Sequence, residues 1–161
     1  MTELYYFDGD LKLLLLEALE LIEVDFKTKL INTLSLKYKN PHWFMDSQIF
    51  LSDSDFDLAS EIIAKGIEKN RENIFIKHYE DKYNDPALPP SRMVFEILAF
   101  GETSRVFQAL NSRDKKLIAK EYELFFPQLE SWIACLAYLR NLSAHSDRVW
   151  NRRMTKIVKV K

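Results

Sequence analysis

Glycine and cysteine are scarce in this chain of 161 residues, which contains three glycines and one cysteine. With so few glycines, an all-β fold rich in tight turns has little support. Cys135 has no second cysteine with which to form an internal disulfide, and it lies in the apolar run 132–139. We therefore predict a buried structural thiol in a reducing compartment.

Long apolar runs are also lacking. The longest strongly apolar segment, 11–16, contains Lys12 and is far shorter than the roughly 20 residues of a membrane span. The start carries Glu3 and Asp8 instead of the basic flank and apolar stretch of a secretory signal. The expected compartment is the cytoplasm, with no membrane partner.

Neither sign of charge dominates, since 23 basic and 24 acidic residues leave a formal net charge of -1. This balance argues against coating of nucleic acid by bulk charge but permits a local basic patch. With 47% hydrophobic and 29% charged residues, the composition is that of an ordinary globular protein. We expect a single domain over residues 1–161 with a substantial core.

Helical signals run through most of the chain and predict an all-α bundle of five to seven helices. The first helix is expected to start at a cap on Asp8 or Asp10 and to end near Lys37, before Asn40-Pro41. Five of its positions fall at helical spacing: Leu14, Ala18, Leu21, Val24 (or Asp25) and Thr28. Two further helices are predicted at 53–69, with Asp53, Ser54 or Asp55 as its cap, and at 73–82. A helix at 92–100 is expected to be capped by Ser91 and ended by Gly101. The remaining helices are predicted at 103–110, at 111–124, starting at Asn111 or Ser112, and from Pro127 onward.

The last helix is predicted to carry two stripes. At 100° per residue, Asn141, His145 and Arg148 form a polar stripe, and Arg140 is long enough to bend towards it. The small residues Ala137 and Ala144 flank this stripe and would let another surface come close. An apolar stripe on the opposite side is expected to face the core: Trp132, Leu136, Leu139, Ser143 and Trp150, widened by Cys135 and Leu142.

The polar stripe has the groups that cleavage of RNA without metal requires. The 2′-hydroxyl must lose a proton, the pentacovalent phosphate gains charge, and the leaving 5′-oxygen must gain a proton. An imidazole can serve at either proton transfer, and a guanidinium donates two aligned hydrogen bonds to phosphoryl oxygens. One histidine cannot easily do both transfers, which favours a second copy of the site across a symmetric dimer. The same groups also suit plain phosphate binding or a solvated helix face.

Several segments, in order along the chain, resemble the Abi (abortive infection) family of phage-resistance proteins, in particular its AbiD/AbiF-like group. The arginine and histidine of Arg140-Asn141-x-x-Ala144-His145 are spaced as in the motif of the HEPN ribonuclease superfamily. The segments that carry the wider likeness are 4–12, 15–24, 42–46, 78–79, 89–90, 96–101, Trp132, 140–141, 144–145 and 148–151.

The resemblance implies a helical HEPN domain, shorter at both ends than the usual family pattern, that forms a homodimer through its motif-bearing helices. It implies RNA as the partner and metal-independent cleavage in phage defence, with toxin-like action. Arg140 and His145 match the catalytic pair, and Asn141 matches the polar position between them. An activating trigger and a cognate antitoxin are not identified by the sequence.

The carboxyl end is basic and follows the motif directly. We predict RNA contacts from Arg148, Asn151, Arg152 and Arg153; a solvated tail is the alternative for the basic residues Arg148, Arg152, Arg153, Lys156, Lys159 and Lys161. No cofactor is expected, and no two histidines stand at metal-ligand spacing. Two further interpretations of the chain stay open: a catalytically silent RNA-binding or protein-interaction module, and a structural fragment whose polar stripe mediates only dimer contacts.

Overall fold

The computed structural model describes residues 2–83, 85–145 and 148–160. Seven helices account for most of these residues: α1 (Thr2–Tyr38), α2 (Asp53–Lys69), α3 (Ile74–Lys82), α4 (Ser91–Ile97), α5 (Phe100–Ala109), α6 (Ser112–Lys120) and α7 (Phe126–Ala144). Two short 3-10 turns, Trp43–Met45 and Ser47–Ile49, connect α1 to α2. The described ranges contain no β-strand, only a single bridge between Phe50 and Leu110. The predicted all-α bundle of five to seven helices is confirmed.

The core lies between α1, α2, α5 and α7, and aromatic rings fill much of it. Phe26 of α1 is fully buried, and its ring meets that of Phe107 edge-on, with 5.3 Å between centroids. On α7 the buried positions follow one another at four-residue spacing, at Leu129, Ile133 and Ala137. Because α7 packs against α1, α5 and α6 at once, it is the central helix of the bundle.

The predicted helix starts hold at α6 and differ from the structure at α2 and α4. Asn111, one of the two predicted starts of α6, is its cap and accepts a hydrogen bond from the Asp114 N–H. At α2 the cap is Ser52, one residue before the predicted Asp53. The prediction that Ser91 is a cap is wrong, because Pro90 has extended backbone and α4 begins at Ser91 itself. The Ser91 N–H then donates to the Pro41 carbonyl at 2.8 Å.

Helix α1 starts earlier than predicted, and the residues that it exposes are those with the predicted helical spacing. The helix begins at Thr2, so Asp8 and Asp10 are interior residues and not caps. The positions that share helical spacing are exposed: Leu14, Ala18, Leu21, Val24 and Thr28. The buried positions are instead Leu19, Phe26, Leu30 and Leu34. Apolar residues occur on almost every side of the first six turns, so periodicity alone does not select the buried side.

Gly101 does not end a helix. The chain breaks at Leu98 and Ala99, and Gly101 lies in the first turn of α5. The Glu102 carboxylate accepts a hydrogen bond from the Ala99 N–H at 2.8 Å, which satisfies a donor that the helix start leaves unpaired. Phe100 is fully buried just before Gly101, and its anchoring in the core favours the earlier helix start.

The predicted apolar stripe of α7 is partly wrong. Leu142 and Ser143 are buried, but Trp132 is 43% exposed and Cys135 is only half-buried. Trp150 lies beyond the end of the helix at Ala144. Ala137, expected beside the polar stripe, is in the core. Because neighbours cover α7 on several sides, including a contact from the Lys159 N–H to the Ser131 hydroxyl at 2.8 Å, a single amphipathic stripe does not describe it.

Candidate functional site

Arg140 lines a cleft of about 700 Å³ between α1, α4 and α7. Its side chain is 40% exposed, and its Nε lies 3.7 Å from the Glu23 Oε2. The other charged residues lining this cleft are Glu20, Lys27, Arg92 and Glu96. The guanidinium is therefore both accessible to a ligand and oriented by a carboxylate of α1.

Glu23 is itself fixed in place by Lys27, one turn further along α1. The Lys27 Nζ donates to the Glu23 Oε1 at 2.6 Å and to the Leu98 carbonyl at 2.6 Å. Lys27 thus ties α1 to the corner between α4 and α5, and Glu23 is shared between Lys27 and Arg140. Sequence reasoning did not identify Glu23 or Lys27; the available signal was a Glu–Lys pair at i,i+4, which is common on helix surfaces.

Asn141 and His145 lie at the end of α7, and both are exposed. The His145 backbone N–H donates to the Asn141 carbonyl at 3.2 Å, and His145 is the C-cap residue of α7. Beside Asn141 lies Gly101 of α5, where a Cβ would come 3.8 Å from the Asn141 Nδ2. The two predicted residues therefore share one exposed end of α7, as their four-residue spacing indicated.

Arg148 does not continue that helical stripe. The helix ends at Ala144, and residues 146 and 147 lie outside the described part of the chain. Arg148 is exposed in the irregular segment that follows. Its expected helical spacing from His145 is therefore wrong, because the helix ends at Ala144, before both residues.

Asp8 of α1 fixes the segment that follows the helix. Its Oδ1 accepts hydrogen bonds from the Val149 N–H at 2.9 Å and the Trp150 N–H at 2.6 Å. The Lys12 Nζ pairs with the other carboxylate oxygen at 2.9 Å. The Phe7 ring meets the Trp150 ring edge-on, with 5.0 Å between centroids. We call these contacts the Asp8 clamp; they hold the chain beyond His145 against the first turns of α1.

The hydrogen bond from the Trp150 N–H, with those from Lys12 and Val149, lowers the pKa of the Asp8 carboxyl despite its desolvation. A carboxyl with a lowered pKa in the folded state stabilises the fold above its usual pKa, and that contribution is lost as the pH falls through the folded-state pKa. The clamp is thus complete at neutral pH and released in acid.

We predict that Asp8→Asn at neutral pH speeds hydrogen exchange at the amides of Val149 and Trp150 by about tenfold or more, since each loses a charged acceptor. In the wild type, protection corrected for intrinsic exchange should fall in the same way below about pH 4. Asp10→Asn, an exposed carboxylate on the same helix, is the matched control and should leave both amides protected. Equal protection in the Asp8 and Asp10 variants would contradict the clamp.

The residues predicted to contact RNA beyond the clamp are all at the surface. Asn151 adopts a left-handed backbone with φ 53°, which asparagine tolerates well. Arg152 and Arg153 are exposed in the stretch after it. The chain then runs back along α7 to the contact between Lys159 and Ser131. Lys161 lies outside the described residues.

Over residues 2–83, 85–145 and 148–160, no group of three or more His, Cys, Asp and Glu side chains is placed to bind a metal ion. No helix in these ranges is long and apolar enough to cross a bilayer.

By its fold and its site, the protein is an all-α bundle that has an arginine-lined cleft and an exposed histidine at the end of its central helix. The family model described as Abi-like protein matches residues 1–151. The chain therefore belongs to the Abi-like protein family, and this membership supports a function of the abortive-infection type. No curated protein and no solved structure matches the chain.

Proposed function

We propose that this Abi-like chain is a HEPN-type, metal-independent endoribonuclease of phage defence that acts as a homodimer. The observation that carries the proposal is an exposed His145 at the end of α7, five positions after an Arg140 that contacts Glu23 in a cleft. The two residues are five positions apart, a rise of about 7.5 Å and a rotation of about 140° around the helix axis. Contact of both with one phosphodiester therefore requires the long Arg140 side chain to reach around the helix towards His145.

In the proposed reaction, an imidazole takes the proton of the RNA 2′-hydroxyl, whose oxygen attacks phosphorus. The bond to the 5′-oxygen breaks, that oxygen gains a proton, and the products carry a 2′,3′-cyclic phosphate and a 5′-hydroxyl. Arg140 donates hydrogen bonds to the phosphoryl oxygens as their charge grows, and Asn141 orients the substrate or the imidazole. Two proton transfers call for two imidazoles, so a second copy of His145 from a partner chain fits the chemistry.

RNA binding without cleavage is the second candidate, and the exposed basic segment favours it specifically. Arg148 lies just before the Asp8 clamp, Arg152 and Arg153 lie just after it, and all three are at the surface. Exposed guanidinium groups suit contacts to phosphates, which give affinity that falls steeply with salt.

Incubation of the purified protein with total RNA in excess chelator tests the proposal. We expect shortened RNA whose new ends are cyclic phosphate and 5′-hydroxyl. Salt-sensitive affinity without cleavage would favour the binding module instead. If neither cleavage nor affinity is seen for a folded dimer, the polar residues at the end of α7 only form contacts between the two copies.

Glu23→Gln is predicted to lower the cleavage rate constant about tenfold or more while leaving RNA affinity nearly unchanged, because small losses of orientation are costly in the transition state. Glutamine keeps the shape of the side chain but loses the charge that orients Arg140. Glu61→Gln is the control: Glu61 is an exposed carboxylate of α2 that pairs with Lys65. Equal kinetics for the two variants would show that Glu23 does not position Arg140.

A further inference from the structure

The outward side of α1 exposes a row of large apolar side chains along its first six turns. Five of them define what we call the outer face of α1: Tyr6, Leu13, Leu14, Leu21 and Val24. At 100° per residue they lie within about 100° of arc, opposite the buried Leu19 and Phe26. No other element of the described chain covers this row, since each of the five is at least 58% exposed.

The apolar surface of the outer face is large for a single chain. At roughly 100–150 Å² for each such side chain, the five residues expose on the order of 600 Å². That is the upper end of the roughly 300–600 Å² found for the largest apolar patch of a typical monomer, and such patches often bind a partner.

The charged residues on the same side of α1 are all acidic. Glu3, Asp10 and Glu17 project within the arc of the outer face, and all three are exposed. The one basic residue among positions 1–24 is Lys12, and it pairs with Asp8 in the clamp. An apolar row bordered by carboxylates alone is complementary to a surface that is apolar and basic.

The spacing of the row indicates what shape such a surface has. Tyr6 and Leu13 are seven residues apart, and so are Leu14 and Leu21, which is the period of one helix packed along another. We propose that the outer face of α1 binds a basic amphipathic helix of a partner protein, with apolar residues at the seven-residue period and lysines or arginines beside them. This proposal is independent of the proposed RNA chemistry.

A second copy of the chain fits the outer face less well. A two-fold axis midway between Leu13 and Leu14 would pack α1 antiparallel on its counterpart and match the apolar row, with Tyr6 facing Leu21 of the other copy. It would also bring Asp10 against Glu17 of the other copy. Like charges directly opposed disfavour such a pairing, so the charge pattern favours a cationic partner.

Two synthetic helical peptides of about three heptads test this proposal. Both carry leucine at the a and d positions; one has lysine and the other glutamate at e and g. In fluorescence anisotropy with the intact protein, we expect the lysine peptide to bind at least about tenfold more tightly. Leu14→Asp with Leu21→Asp should abolish that preference and most of the affinity. Ile74→Asp, at a residue of α3 that is 86% exposed, should change neither.

Reversing the charge of the two exposed carboxylates tests the electrostatic part of the proposal directly. Asp10→Lys with Glu17→Lys should make the glutamate peptide the tighter ligand, without altering the fold, because both carboxylates are exposed. Equal affinity for the two peptides in the wild type would overturn the proposal. So would a homodimer that Leu14→Asp dissociates, which would make a second copy the occupant. Binding to phosphatidylcholine vesicles that the same variant removes, without peptide binding, would assign the face to a lipid surface instead.

Discussion

His145→Ala is expected to lower metal-independent RNA cleavage by about 10²–10⁴-fold, the usual contribution of a general acid or base. The loss should appear in kcat, with RNA affinity nearly unchanged, because the imidazole transfers a proton in the transition state and contributes little to binding of the RNA. The fold should persist, since His145 is exposed and it is its backbone N–H that bonds Asn141. Initial rates on a defined RNA, with circular dichroism as the folding check, measure the effect.

His78→Ala is the matched control, because His78 is an exposed histidine on α3, outside the motif. Its cleavage rate should equal that of the wild type. A His145→Ala protein that cleaves RNA at the wild-type rate would remove the imidazole from the mechanism. Arg140→Lys extends the test: lysine keeps the charge but cannot donate two aligned hydrogen bonds, so activity should stay low.

Asp114→Ala is expected to reduce the free energy of unfolding by about 3 kcal/mol, since it removes one partner of a buried ion pair. Asp114 is fully buried at the start of α6. It pairs with the Lys37 ammonium, accepts from the Tyr38 hydroxyl at 2.7 Å and accepts from the Asn111 amide at 2.8 Å. Without the carboxylate, three donors lose their acceptor where the end of α1 meets α6. Urea unfolding measures the change.

Glu61→Ala supplies the comparison for that measurement. Glu61 and Lys65 form an ion pair on the exposed side of α2, and both side chains are more than half exposed. Exposed pairs of this kind contribute about 0–1 kcal/mol, so the midpoint of unfolding should hardly move. If Asp114→Ala were no more destabilising than Glu61→Ala, the buried network would not stabilise the junction of α1 and α6.

Local signals in the sequence were enough to predict the helices and part of the site. Asn111 was identified as a cap and Pro127 as a first-turn residue because both act through backbone groups a few positions away. The exposed end of α7 was likewise predicted, since Asn141 and His145 are one helical turn apart. In each of these cases the interacting atoms are neighbours in the chain, so spacing alone specifies the geometry.

The partners of the site could not be predicted in this way. Asp8 accepts a hydrogen bond from Val149, which is 141 positions away in the sequence. Glu23 and Arg140 form an ion pair although they too are more than a hundred positions apart. An aspartate near the start of a helix reads as a cap, because capping is the common local use of that side chain. The donors that Asp8 actually accepts from are two backbone N–H groups beyond α7, and they come within reach only when α1 packs against the end of α7.

By itself the sequence determined that this protein is helical, where most of its helices end, and that an arginine and an asparagine in the last turns of α7 are followed by a histidine at its end. The tertiary structure decided which sides of α1 and α7 are buried and which carboxylate orients Arg140. The physical reason is the same in both helices. Apolar residues surround α1, and several neighbours surround α7, so local periodicity offers more than one side for burial, and the packing of distant helices selects among them.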